Sequence, residues 1–181
     1  MELVGLEDRN RLLQLARRAL EAHVRREPPP PVEAGGALDA ARGAFVTLLH
    51  LGELRGCLGR LDPEDSLAAT IAHLAAVASD SDPRFSPVLA HELAEIHIEI
   101  SVLTPERDVV SLEEIEVGRH GLIVEQGQCR GLLLPQVAIE YGWDRQTFLS
   151  HTCLKAGLPK DAWSRGARIL AFEAQVFGEQ L

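Results

Sequence analysis

From Ile96 to Leu103 apolar and polar residues alternate without a break. Ile96, Ile98, Ile100 and Val102 fall on one face, and His97, Glu99 and Ser101 on the other. Side chains alternate across an extended chain, so this is a strand with one apolar and one polar face. Thr104-Pro105 stops it. The other strands come as hairpins. Gly43–His50 reads as a strand, Leu51-Gly52-Glu53 as a tight turn and Leu54–Leu58 as the returning strand. Leu122–Glu125, Gly127 and Cys129–Leu134 form a second hairpin closed by Pro135, and Arg168–Phe177 reads as a closing strand. Hairpins rather than βαβ units predict a largely antiparallel sheet.

Helical periodicity fills the remainder. Glu7–Arg26 carries Leu12, Leu13, Leu15, Ala16, Ala19, Leu20 and Val24 mainly on one stripe, and Pro28–Pro31 ends it. Residues 27–36 are a Pro/Gly-rich surface loop in this reading. Ser66 or Asp65 caps a helix to about Ala78 that is apolar on most sides and therefore buried. Asp80–Phe85 is a loop. A short helix spans Gln136–Tyr141 and ends at Gly142. Asp144 caps a further helix through Lys155, with Gly157 as its stop and Pro159 beyond. The expected fold class is α+β: a single domain over residues 1–181, its mostly antiparallel sheet flanked by helices.

Bulk properties narrow the function. The chain has 181 residues and 46% hydrophobic content, enough for one domain with a real core. Aromatics are only 4%, so that core rests on Leu, Val, Ile and Ala. A net charge of -9 argues against general nucleic-acid binding, which needs a basic face. The 3 cysteines lack CxxC spacing, a poor basis for a disulfide framework or a zinc site. No metal is expected, and the cofactor is left open. Without an apolar run of about 20 residues or a leader pattern at Met1-Glu2-Leu3-Val4, we expect a cytoplasmic protein that does not engage membranes. No GxGxxG, GxxxxGK[ST], HExxH or GxSxG motif is present.

Chemistry concentrates in Leu54-Arg55-Gly56-Cys57-Leu58-Gly59. Strict alternation puts Arg55 and Cys57 on one face and Gly56 on the other. Arg55 offers a fork for an anion, and beside Cys57 it would favour the thiolate. Gly56 and Gly59 would let a ligand approach the backbone.

This segment, with Gly43-Ala44-Phe45-Val46-Thr47-Leu48, Asp82-Pro83-Arg84-Phe85, Glu99–Leu103, Gly131–Val137 and Lys155-Ala156-Gly157-Leu158-Pro159, resembles the AMMECR domain family, protein A of the AmmeMemoRadiSam system. Leu58 stands where that family usually has Ile. The resemblance implies a two-lobed domain with both chain ends in the larger lobe, part of the middle of the chain in the smaller, and a cleft between them. It also implies association with a Memo-like protein and a radical SAM protein. It transfers no catalytic residue.

Each candidate carries two readings. Cys57 is a nucleophile or redox group, or a small buried hydrophobe. Arg55 holds an anionic ligand, or pairs internally with Asp82 or Glu99. Glu99 deprotonates or orients a substrate, or sits in an interior ion pair, while His97 lies on a solvated face. Asp82 and Arg84 contact ligand from their loop, or Asp82 caps a turn and Arg84 pairs locally. Phe85 is a core plug. Gln136, after Pro135, sits where free backbone N–H groups can hold an anion. His120 reads as an ordinary loop histidine, Cys129 as exposed and Cys153 as core. Three functions follow: an enzyme or enzyme component in a modification pathway, with Cys57 and Glu99 catalytic and Arg55 holding an anion; a binding module that presents a substrate to the radical SAM partner; or a protein-interaction scaffold.

Overall fold

The computed structural model describes residues 3–32, 35–61 and 63–179. It is α+β, with four α-helices and antiparallel strand pairing. The chain divides into two compact units. Unit 1 comprises the chain up to Leu103 and again from Gln175; unit 2 is Thr104–Ala174.

In unit 1, β1 (Ala44–His50) pairs on one edge with β2 (Glu53–Arg60) and on the other with β3 (Ile96–Leu103), both antiparallel. Its inner side chains, Ala44, Val46 and Leu48, are buried with Ile96, Ile98, Ile100 and Val102 of β3. Two helices complete this core. In α1 (Leu6–Arg25) the buried residues are Leu12, Leu15, Ala16, Ala19, Leu20 and Ala22; the helix ends on Arg26 in the left-handed conformation (φ 60). In α2 (Leu67–Val77) the N-cap is Ser66, whose hydroxyl accepts from Ala69 N at 3.2 Å. Fully burying one such Leu or Ile is worth about 1.5–3 kcal/mol, so this shared apolar cluster is the main source of stability.

Of the expected surface loop at 27–36, residues 33 and 34 lie outside the described residues. Its last residue starts a 3₁₀ turn, Gly36–Asp39, which inserts Leu38 into the core.

Residues far apart in sequence close unit 1. Gln175 Oε1 accepts from Leu3 N at 2.9 Å and Val4 N at 2.8 Å. Arg17 on α1 grips Glu179 through Nε at 2.8 Å and through Nη2, and also donates to the carbonyls of Leu93 and Ile96. Glu179 Oε2 accepts in turn from Ile98 N at 2.9 Å.

In unit 2, β5 (His120–Gln126) pairs with β6 (Cys129–Leu133) and with the first part of β7 (Arg168–Gly178). A two-residue strand absent from the sequence reading, β4 (Arg107–Asp108), adds to β7. The helices are α3 (Pro135–Glu140) and α4 (Arg145–Lys155), the latter capped by Asp144 accepting from Thr147 N. Phe148 and Leu149 of α4 are buried with Leu122, Ile115, Ala138 and Ala171. Cys153 is core, as expected, beside Val124, Ala162 and Ala167.

Two assignments are corrected here. Cys129 is half-buried rather than exposed. His120 is no loop residue: it opens β5, is buried, and accepts from Glu116 N through Nδ1 at 3.0 Å. Burial, helped by the Arg107 guanidinium, pushes its pKa below the ordinary imidazole value, against the pull of Glu173.

Two outcomes are expected. Arg17→Ala removes charge-assisted hydrogen bonds between α1, β3 and the C-terminal segment, and lowers unfolding free energy in urea by about 2–3 kcal/mol. For His120, the unfolded chain takes up a proton first as pH falls. Its contribution is therefore full above about pH 6.5 and is lost below it, towards the depressed folded value. Urea midpoints at about pH 8 and about pH 5.5 should differ less in His120→Asn than in the parent chain.

Candidate functional site

The hairpin between β1 and β2 turns on Leu51 (φ 53) and Gly52 (φ 85). Positive φ at both central residues is the turn that matches strand twist. Pairing begins with His50 opposite Glu53 and Leu49 opposite Leu54. It then shifts: Leu48 faces Gly56, Thr47 faces Cys57, and Arg55 is the extra residue of a β-bulge. Strict alternation therefore does not run through residues 54–57. This corrects the expectation that Arg55 and Cys57 share a face with the guanidinium acting on the sulfur. The two serve different neighbourhoods.

The bulge completes a row across three strands. Cys57, Thr47 and Glu99 lie side by side on the face of the sheet opposite the core. Thr47 Oγ1 donates to Cys57 Sγ at 3.3 Å. The next row holds Gly59, Phe45 and Ser101. The cation acting on the sulfur is Arg84, not Arg55. Burial pushes the Cys57 thiol pKa up; the Thr47 hydrogen bond and Arg84 pull it down, Asp82 and Glu99 push it up again, and burial wins. At neutral pH Cys57 is a thiol.

Asp82, with its side chain buried, fixes this arrangement. Its carboxylate accepts from Cys57 N at 2.9 Å and takes Arg84 in a fork, Nε at 3.0 Å and Nη2 at 2.7 Å. Oδ1 also accepts from Arg84 N at 3.1 Å, so Asp82 caps a turn and Arg84 pairs locally, as one of the two readings had it. The paired guanidinium holds the Asp82 pKa far below the usual carboxylate range. The Arg84 side chain itself is 56% exposed and lies 5.4 Å from the Phe85 ring centre.

Arg55 pairs with neither Asp82 nor Glu99. Nε and Nη2 take Glu92 at 2.8 and 3.1 Å, and Nη1 and Nη2 donate to the carbonyls of Ser86 and Pro87. Glu92 also accepts from Leu89 N at 2.7 Å. Arg55 thus clamps the 86–92 segment. It also lines a surface depression of about 490 Å³ with His50, Phe85, Leu89, His91 and Glu95, where His50 Nε2 meets Glu95 at 2.9 Å. Phe85 is accordingly half-buried on this wall rather than a core plug.

The two glycines are corrected as well. A Cβ at Gly56 would stand 2.3 Å from the Ala78 carbonyl oxygen, and one at Gly59 would stand 2.2 Å from the Phe45 ring. Protein fills the space expected for a ligand. Gln136 belongs to unit 2, as the second residue of the six-residue α3, and its buried Oε1 has no hydrogen-bond partner among the described residues. Glu99 is half-buried in the Cys57 row, and His97 is half-buried rather than solvated. Among the described residues no group of three or more His, Cys, Asp or Glu side chains could hold a metal ion. No helix among them is long and apolar enough to cross a membrane.

Thr47, Glu92, His50, His91 and Glu95 were missed. The turn chemistry at 51–52 predicts a register with Thr47 opposite Gly56, and only the bulge brings Thr47 to Cys57. Glu92 carries no local signal at all.

An α+β chain with this hairpin, this Asp-Pro-Arg-Phe loop and this closing strand belongs to the AMMECR1 family, whose profile matches residues 13–177. Relatives include Mbar_A1807 of Methanosarcina barkeri, 48% identical over 93% of this chain and 88% of its own length. MK0488 of Methanopyrus kandleri is 46% identical over 99% of this chain and 92% of its own. The crystal structure of PH0010 from Pyrococcus horikoshii superposes with a TM-score of 0.91 at 38% identity, covering 99% of this chain and 95% of that one.

Gly56→Ala should drive the new methyl into the carbonyl of Ala78, the residue that caps the end of α2, and lower stability by about 1–3 kcal/mol, read as a fall in thermal midpoint. An unchanged midpoint would show that β2 and the end of α2 are not in contact.

Proposed function

We propose that this chain is a binding component of a modification pathway and works with a Memo-like protein and a radical SAM protein. Its ligand is held on unit 1, in the Arg55 depression, which Phe85 on its wall and the neighbouring Arg84 link to the Cys57 row. In this reading Cys57 contributes shape and a neutral thiol, Arg55 holds the loop that forms the wall, and Arg84 presents the half-exposed cation. Asp82 and Glu99 set the local charge.

The observation that carries the reading is the state of Cys57. Its sulfur is desolvated and has two carboxylates among its charged neighbours, and burial outweighs the hydrogen bond that it accepts from the Thr47 hydroxyl. A nucleophilic cysteine needs the reverse, a setting that stabilises the thiolate. The Thr47 hydrogen bond and the Arg84 guanidinium favour the catalytic alternative, with Cys57 as nucleophile and Glu99 as its base. The family resemblance supports the two partners, and the size of the depression suits a small ligand.

Iodoacetamide labelling followed by mass spectrometry separates the two readings. At about pH 7, Cys57 should react no faster than the half-buried Cys129. A Cys57 that labels about tenfold faster than Cys129 would establish an activated thiol and overturn the binding reading. For the partners, gel filtration with the Memo-like and radical SAM proteins should give a common peak, and separate elution removes that association.

A further inference from the structure

The depression of about 490 Å³ on unit 1 combines apolar and charged lining. Phe85, Pro87 and Leu89 supply the apolar part, and Leu89 is 56% exposed. Their loop is fastened from below, because the Arg55 guanidinium holds the carbonyls of Ser86 and Pro87. The space is therefore built in advance of any ligand, at a size that suits a small molecule.

The charged groups do not balance. Among the described lining residues, fixed charge comes to one cation, Arg55, against two carboxylates, Glu92 and Glu95. Arg55 and Glu92 cancel: the guanidinium takes both Glu92 oxygens, at 2.8 and 3.1 Å, and Leu89 N takes Oε2 again at 2.7 Å. An incoming group would have to break that fork to use either. Glu95 is different. Its Oε2 meets His50 Nε2 at 2.9 Å, and a carboxylate only accepts, so that nitrogen carries the proton. A neutral imidazole orients the carboxylate without cancelling its charge. Oε1 of Glu95 has no hydrogen-bond partner among the described residues, and the side chain is 57% exposed. His91, also at the depression, is exposed. Arg84 lies 5.4 Å from the Phe85 ring centre, but the buried Asp82 carboxylate answers its charge in a fork.

We infer that the depression takes a small organic cation, an ammonium group joined to an apolar body. The ammonium meets the uncompensated Glu95 carboxylate, and the body lies on Phe85, Pro87 and Leu89. An anion would face Glu95 with like charge and find Arg55 already committed. This names the chemical class of the ligand and rests on the reading that the depression is the ligand site.

The test titrates the full chain with phenethylamine, phenylethanol and phenylpropionate, three probes that share a ring and differ in charge. Binding is followed by amide NMR at about pH 7.5, where imidazole is ordinarily neutral. Phenethylamine should move the Ser86, Leu89 and Glu92 amide signals saturably and bind about fivefold more tightly than phenylethanol, with phenylpropionate weakest. Glu95→Gln should bring the amine down to the affinity of the alcohol and leave the alcohol unchanged. On the parent chain, raising NaCl from about 0.02 to about 0.5 M should shrink the amine's advantage, which keeps the test decisive if the variant misfolds. Nα-acetyl-lysine amide separates two sources of the ammonium: weaker binding than phenethylamine assigns a free amine, and tighter binding a lysine presented by a partner. Equal or tighter binding of the alcohol or the acid at these amides would overturn the cation and leave the ligand site standing. An amine preference that survives Glu95→Gln would also overturn it. No shift at these amides with any probe would overturn both.

Discussion

β1 has a hydrogen-bonded neighbour on each edge, so its alternation decides core and surface for three strands at once. Ala44, Val46 and Leu48 commit their partners in β3 to the apolar cluster under α1 and α2. Phe45 and Thr47 commit Gly59, Cys57, Ser101 and Glu99 to the opposite face. A slip of one residue would exchange the two faces. The bulge at Arg55 is such a slip, confined to β2. Without it, continued pairing from the turn would set Arg55 opposite Leu48, on the apolar side. With it, a small Gly56 occupies that place against the Ala78 carbonyl, and the guanidinium is free to reach Glu92.

The loop after α2 is then tied down twice from β2. The Cys57 amide holds Asp82, and the Arg55 side chain holds Glu92 with the carbonyls of Ser86 and Pro87. Between these ties Asp82 orients Arg84, and Arg84 lies by Phe85. The loop is therefore organised by charge-assisted hydrogen bonds rather than by apolar burial, which suits a wall that faces water. Backbone pairing supplies the rigidity behind it.

Elements whose signal is local were legible in the sequence. The periodicities of α1, α2 and β3, the Ser66 and Asp144 caps and both hairpins match the structure to within a residue or two. Asp82 and Arg84 were legible as a pair because they are two residues apart. What failed depended on distant partners or on a break in register. Arg55 found Glu92, 37 positions away, instead of Asp82 or Glu99. Gly56 and Gly59 were read as open because no local pattern shows that Ala78 or Phe45 fills the space. His120 was read as a loop residue because β5 begins earlier than its apolar run, at a residue buried by tertiary contacts.

The sharing of β7 between the units has a consequence for synthesis. Residues of unit 1 up to Leu103 leave the ribosome well before Gln175 and Glu179 exist. Until then the amides of Leu3 and Val4 lack their acceptor, Arg17 lacks its carboxylate, and β3 presents an unpaired edge. The nascent half-sheet is an aggregation-prone template during that interval. Unit 2 begins and ends between the two halves of unit 1, so it can finish first and deliver the last strand to a waiting edge.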